Sequence, residues 1–217
     1  MEKKVIIILS IILAILILAV GGYIVYTNIL NKDTTPPEIA LKGEEISTFE
    51  IGDTIQFSEK EWIIINKTET AVGVILKDYL PGRIFCADMD TRYSLTDEES
   101  ILYYLNTYFI KNLAEENLVN YNWKIGSYRN EESNTVNAKI GLLNRKEFIS
   151  LEMDGTSEKF KVTDGNGWWL LTPSAGEFLK DALSIVTADN KTHEGWIKNT
   201  YVVKPVIYIL NDTMVIE

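Results

Sequence analysis

The twenty-two residues from Val5 to Tyr26 carry no charge, and their only polar side chains are those of Ser10, Tyr23 and Tyr26. As a helix this run would extend about 33 Å at 1.5 Å per residue, enough to cross the hydrocarbon of a bilayer. Lys3 and Lys4 precede it, so the positive-inside bias keeps the N-terminus cytoplasmic. Tyr23 and Tyr26 fall at the outer end, where amphipathic rings prefer the headgroup zone. Two readings of the run stand. It is an uncleaved single-pass anchor, or it is a secretory signal cut at Ala19-Val20-Gly21, which has the small-x-small form. The apolar run continues five residues past that point, and the anchor is the expectation. Under either reading the rest of the chain lies outside the cytoplasm, with the cell membrane as its address and the bilayer as its first partner.

Charge and cysteine content narrow the function classes. Removing Glu2, Lys3 and Lys4 from the 21 basic and 31 acidic residues leaves 19 and 30, a net −11 beyond the span. Such a surface does not recruit nucleic acid, whose phosphates demand a basic patch. Cys86 is the only cysteine and His193 the only histidine. An internal disulfide, Cys-x-x-Cys redox chemistry and a cysteine-based zinc site are therefore excluded.

Past the span, residues 27–47 contain Pro36-Pro37 among Thr, Glu and Lys and read as a stalk. Residues 48–217 are long enough for one domain. Alternation in Asp53–Phe57 and the denser Glu61–Ile65 and Ala71–Leu76 runs predict a hairpin or a three-strand meander, with a turn at Asn66–Glu69. Thr96 and Glu99 have capping-box spacing, and Ile101, Leu102, Leu105, Phe109 and Leu113 follow on one stripe, predicting a long helix to about Leu118. A short helix is expected at Arg145–Leu151, after a strand-like Lys139–Leu143. Tyr201–Leu210 reads as a strand that Pro205 confines to an edge or a bulge. Strands at both ends with helices between give an α+β domain of antiparallel strands with one long and one short helix.

The stretch Gly167-Trp168-Trp169-Leu170-Leu171-Thr172-Pro173 places two indoles side by side. On a strand Trp169 and Leu171 face opposite to Trp168 and Leu170. Burial of both faces is the default, since each large apolar side chain buried contributes roughly 1.5–3 kcal/mol. An open Trp169 would be a platform for a sugar ring or a partner protein. Asp164 and Asn166 just before it form a turn, and also half of a calcium loop that lacks its later acidic ligand. Asp88 and Asp90 belong to a solvated loop. His193 sits in a loop-like stretch with no nucleophile elbow or zinc motif, and Cys86 reads as a small buried apolar residue. No catalytic residue, metal set or cofactor is expected.

Four ordered segments, GDTIQFSEKEWIIIN, SILYYLNTYF, KIGLLNRKEF and GWWLLTPS, with VVKPVIYIL at the end, resemble the bacterial family called domain of unknown function 6273. The resemblance covers most of residues 50–210. It implies no settled activity. The layout is also similar to C-type-lectin-like domains, in which the terminal strand pairs back near the start. One departure stands out: Lys204 occupies the place where the family usually carries Arg, which alone makes two parallel hydrogen bonds to a carboxylate or carbonyl. Trp169, Asp164, Asn166 and Lys204 are the candidate ligand surface. The expected function is recognition or scaffolding of an envelope protein or glycan by a membrane-anchored outer domain. The alternatives are an envelope hydrolase using acidic residues and a structural subunit of a surface assembly.

Overall fold

The structure, a computed structural model, describes residues 43–125, 134–163, 165, 167–174 and 181–217. The anchor expected at 5–26, with Lys3, Lys4, Tyr23 and Tyr26, lies outside the described residues, as do Asp164 and Asn166. Among the described residues no helix is long and apolar enough to cross a membrane.

In chain order the strands begin with β1 (Glu44–Glu45), β2 (Thr54–Phe57), β3 (Lys60–Lys67), β4 (Ala71–Leu76) and β5 (Leu80–Arg83). Helix α1 (Ile101–Thr107) follows, then β6 (Tyr121–Lys124), β7 (Thr135–Ala138), β8 (Ile140–Gly141) and helix α2 (Arg145–Met153). The chain closes with β9 (Trp168–Pro173), β10 (Ala182–Val186), β11 (Thr192–Trp196), β12 (Tyr201–Val203), β13 (Val206–Leu210) and β14 (Met214–Val215). This is an α+β architecture.

The expected meander is present. β2, β3 and β4 pair antiparallel, with Ile55 opposite Trp62 and Ile63 opposite Ile75. Ser58 and Glu59 link β2 to β3 at φ 51° and 60°, the doubly left-handed two-residue turn that matches strand twist. The second turn starts later than expected, because β3 runs through Asn66 to Lys67. The meander extends into a five-stranded sheet of order β2-β3-β4-β13-β8. A second sheet has the order β11-β10-β9-β12-β5 and contains one parallel pairing, β12 with β9. β1 pairs with β14, so the packed region begins before Thr48 and takes in the end of the expected stalk.

Pro205 lies neither on an edge nor in a bulge. It divides the expected terminal strand into β12 and β13, which belong to different sheets and are flanked on both sides. β4 and β5 divide in the same way, and β12 pairs with β5 as β13 pairs with β4. The two chain segments thus cross between sheets side by side. At the crossing, the Leu76 amide donates to the Pro205 carbonyl at 3.0 Å.

The long helix expected from Thr96 is a single short one. Ser94 Oγ accepts from the amides of Thr96 and Asp97, and Asp97 Oδ1 accepts from the Glu99 amide, so 94–99 is a chain of side-chain-stabilised turns. Ser100 is the N-cap, its Oγ accepting from the Leu102 amide. Past Thr107 the chain tightens into a 3-10 turn and extends at Leu113, where the next amide, that of Ala114, donates to Ser58 Oγ at 2.9 Å. The apolar stripe nonetheless holds. Ile101, Leu102, Leu105, Phe109 and Leu113 are all buried in the core. The second helix forms where expected, with a reciprocal capping box between Asn144 and Glu147.

Candidate ligand-binding site

Of the four residues expected to form a ligand surface, Trp169 and Lys204 are buried, and Asp164 and Asn166 lie outside the described residues. Trp169 is 0% exposed, packed edge-on against Phe85 and Tyr201 at ring separations of 5.3 and 4.7 Å, and its indole N–H donates to the Arg83 carbonyl. Trp168 is buried on the opposite face against Phe148 and Phe160. The doubled tryptophan joins two halves of the core, one indole to each.

Lys204 is likewise 0% exposed. Its ammonium donates to the carbonyls of Leu76, Lys77 and Asp78 at 3.2, 2.8 and 2.7 Å, which ties the two neighbouring crossovers together. The three donors of an ammonium suit three carbonyls converging on one point, where a flat guanidinium fork suits a two-oxygen target. Lys204 is a structural cation rather than a ligand contact.

Cys86 is buried, and burial pushes its thiol up to about 11 against the pull of Arg92, so it stays protonated at neutral pH. His193 is on β11 rather than in a loop, exposed and 3.6 Å from Asp189. The Asp88 carboxylate accepts from the Asp90 amide as the cap of a 3-10 turn. Among the described residues no three His, Cys, Asp or Glu side chains converge on a metal-sized point.

A cavity of about 220 Å³ does collect functional groups, between β3, β6, β13 and α2. Its apolar wall is Ile65, Leu143, Leu151 and Val206, and its polar groups are Asn66, Glu147, Ser150 and Tyr208, with Trp123 beside them. Local sequence explains how each arrives. In a regular strand Ile65 and Asn66 would point to opposite faces. A register shift between Ile64 and Asn66 sets a bulge that turns both toward the cavity. Val206 and Tyr208 are two apart on β13 and share a face. Glu147 is the third residue of α2 and is fixed by its capping role: Oε2 accepts from the Asn144 amide at 2.9 Å, while Asn144 Oδ1 accepts from the Glu147 amide.

Two glycines make room for the aromatic rings. A Cβ on Gly141 would lie 2.3 Å from Trp123 Cδ2, and one on Gly73 would lie 2.9 Å from the Tyr208 ring. Only glycine permits either ring to rest on the strand beneath it. Tyr121 stacks on Tyr208 at 3.9 Å and 14°, and the Trp123 N–H donates to the Ala138 carbonyl at 2.9 Å. The rings are therefore fixed in place before any ligand arrives.

Electrostatically the cavity is poised. Burial pushes the Glu147 carboxyl above the ordinary range, with the Asn144 amide and the Lys124 charge opposing. Among the described residues nothing hydrogen-bonds its Oε1. The Tyr208 hydroxyl accepts from Asn66 Nδ2 at 3.0 Å, and burial keeps it protonated well past the usual tyrosine range.

Asn66, Trp123, Glu147 and Tyr208 were not foreseen from sequence as a site. The available signals were Gly73 inside the apolar run Ala71–Leu76 and Gly141 inside Ile140–Leu143, since an isolated glycine in a strand marks a close approach. No family model, no curated protein and no solved structure matches this chain.

Proposed function

We propose that the chain is a single-pass, membrane-anchored bacterial envelope protein whose outer α+β domain recognises a ligand in the cavity between β13, β6 and α2. The single observation that carries the recognition reading is the convergence of Glu147, Tyr208 and Asn66 beside Trp123, with two glycines holding the rings in place. A small, largely preformed cavity with few polar groups set in an apolar wall is the usual form of a binding site. The uncharged span at 5–26 supports the anchor. The return of β14 to β1, together with the bridge between Gln56 and Ile216, is in keeping with the C-type-lectin-like layout. Within this cavity recognition is favoured over hydrolysis, because its wall offers one carboxyl, Glu147, whereas paired-carboxylate hydrolysis needs two.

Topology and binding are each testable. Met153 is 85% exposed and Cys86 is buried, so Met153→Cys provides one reactive thiol on a dark background. A membrane-impermeant maleimide should label that variant in intact cells; labelling only after lysis, or recovery of the chain from the soluble cytosol, overturns the anchored reading. The full-length chain should also bind isolated cell walls. Ser150→Trp, a change at an exposed position on the cavity rim, should abolish that binding.

A further inference from the structure

We infer that the cavity takes a primary ammonium on a short aliphatic stem, a lysine-type side chain of an envelope peptide, with Glu147 Oε1 as its counter-ion; this rests on the recognition reading above.

Three observations lead there. First, the cavity wall contains one carboxylate and no Lys, Arg or His, so its charge selects against anions. The cation whose charge reaches Glu147 is Lys124, which is exposed and does not line the cavity. Second, the aromatic rings are unsuited to stacking a sugar. Tyr208 is 5% exposed, stacked on Tyr121 and close against Gly73, and Trp123 is 2% exposed with its ring close against Gly141. A neutral sugar ring needs a broad open aromatic face, and neither ring offers one. An ammonium is compact and gains from a carboxylate and nearby ring electrons without full stacking. Third, Ile65, Leu143, Leu151 and Val206 form an apolar lining that would cover a methylene stem while the polar groups meet its charged end.

The position of Glu147 makes the idea separable from folding. Its Oε2 holds the Asn144 amide, a bond that Gln also makes in a capping box, so Glu147→Gln removes the charge and keeps the helix start. The probes are n-butylammonium and n-butanol, equal in stem and differing in charge. Each is titrated by saturation-transfer NMR onto the full-length chain in phosphatidylcholine nanodiscs, with Ser150→Trp subtracting non-specific partition. Butylammonium should bind about tenfold tighter than butanol, and Glu147→Gln should erase that preference with no change in unfolding midpoint. Equal binding of the two probes, an unchanged preference in Glu147→Gln, or no binding of either overturns the ammonium inference. If cell walls still bind and Ser150→Trp still blocks them, the inference falls alone. If wall binding ignores Ser150→Trp, the recognition reading falls with it.

Discussion

Lys204 and Glu147 are both charged groups drawn away from water, and the protein treats them in opposite ways. The Lys204 ammonium has as many hydrogen-bond acceptors as it has protons, all of them backbone carbonyls at the crossing between sheets. Glu147 has one oxygen satisfied by a helix cap, and its side chain lines a cavity. A buried charge whose bonding capacity is filled rigidifies the fold, whereas one left partly unfilled beside open space is where a ligand adds most. The difference teaches that burial by itself does not mark a site. The unfilled valence does.

Removing the filled charge tests that contrast most severely. Lys204→Met leaves three carbonyls at the crossing, that of Leu76 buried and those of Lys77 and Asp78 part-buried, without their donor and should lower stability by about 3 kcal/mol in denaturant unfolding. A loss under about 1 kcal/mol would mean that water replaces the ammonium and that the crossover is not held by it. Next in size is Gly141→Ala. The added methyl meets the Trp123 ring at 2.3 Å, and displacing that buried indole should cost about 2 kcal/mol and close the cavity to butylammonium. A neutral result would show that the ring shifts freely and that the site is not preformed.

A smaller effect separates the two charges by pH. Burial pulls the Lys204 ammonium from 10.5 down to about 8, with Asp78 opposing. Between those values the unfolded chain holds a proton that the folded chain has released, so stability rises with pH there. Measured as wild type minus Lys204→Met, which cancels the opposing titration of Cys86 above pH 9, the gain should be about 1 kcal/mol from about pH 8 to about pH 9. A flat difference would place the ammonium in contact with water. The neutral amine still has two protons to donate, so the crossover should stay tied. The smallest expected change is Glu147→Gln, within about 0.5 kcal/mol in unfolding because the cap survives. A large loss would make Glu147 a structural residue like Lys204 and dissolve the contrast.

Much of the fold was legible along the chain. Period-two alternation and dense β-branched runs located the meander, and adjacent indoles with flanking leucines made a strand buried on both faces the default, although an open Trp169 stayed a candidate. The short helix at Arg145 was legible for the same reason: apolar pattern and capping chemistry act within a few residues. The long helix was not, because Ser94 and Asp97 bind the very amides that Thr96 and Glu99 would have organised. A capping-box spacing is only a competitor among local hydrogen bonds, and here it lost. Pro205 showed that the strand is interrupted, but whether the interruption lies on an edge or between sheets depended on which strands arrived beside it.

By itself the sequence determined the uncharged run at 5–26, the acidic balance of the residues beyond it, and the α+β pattern of strands and helices. Each of these is a sum over neighbours in the chain, written in hydrophobic period and charge. Only tertiary structure decided that Lys204 meets carbonyls 126 to 128 residues away and that Asn66 and Tyr208, 142 apart, share a hydrogen bond at the mouth of a cavity. Convergence of polar groups over such separations leaves no periodic trace, because it is set by how sheets cross and where glycine lets a ring lie flat on a neighbouring strand.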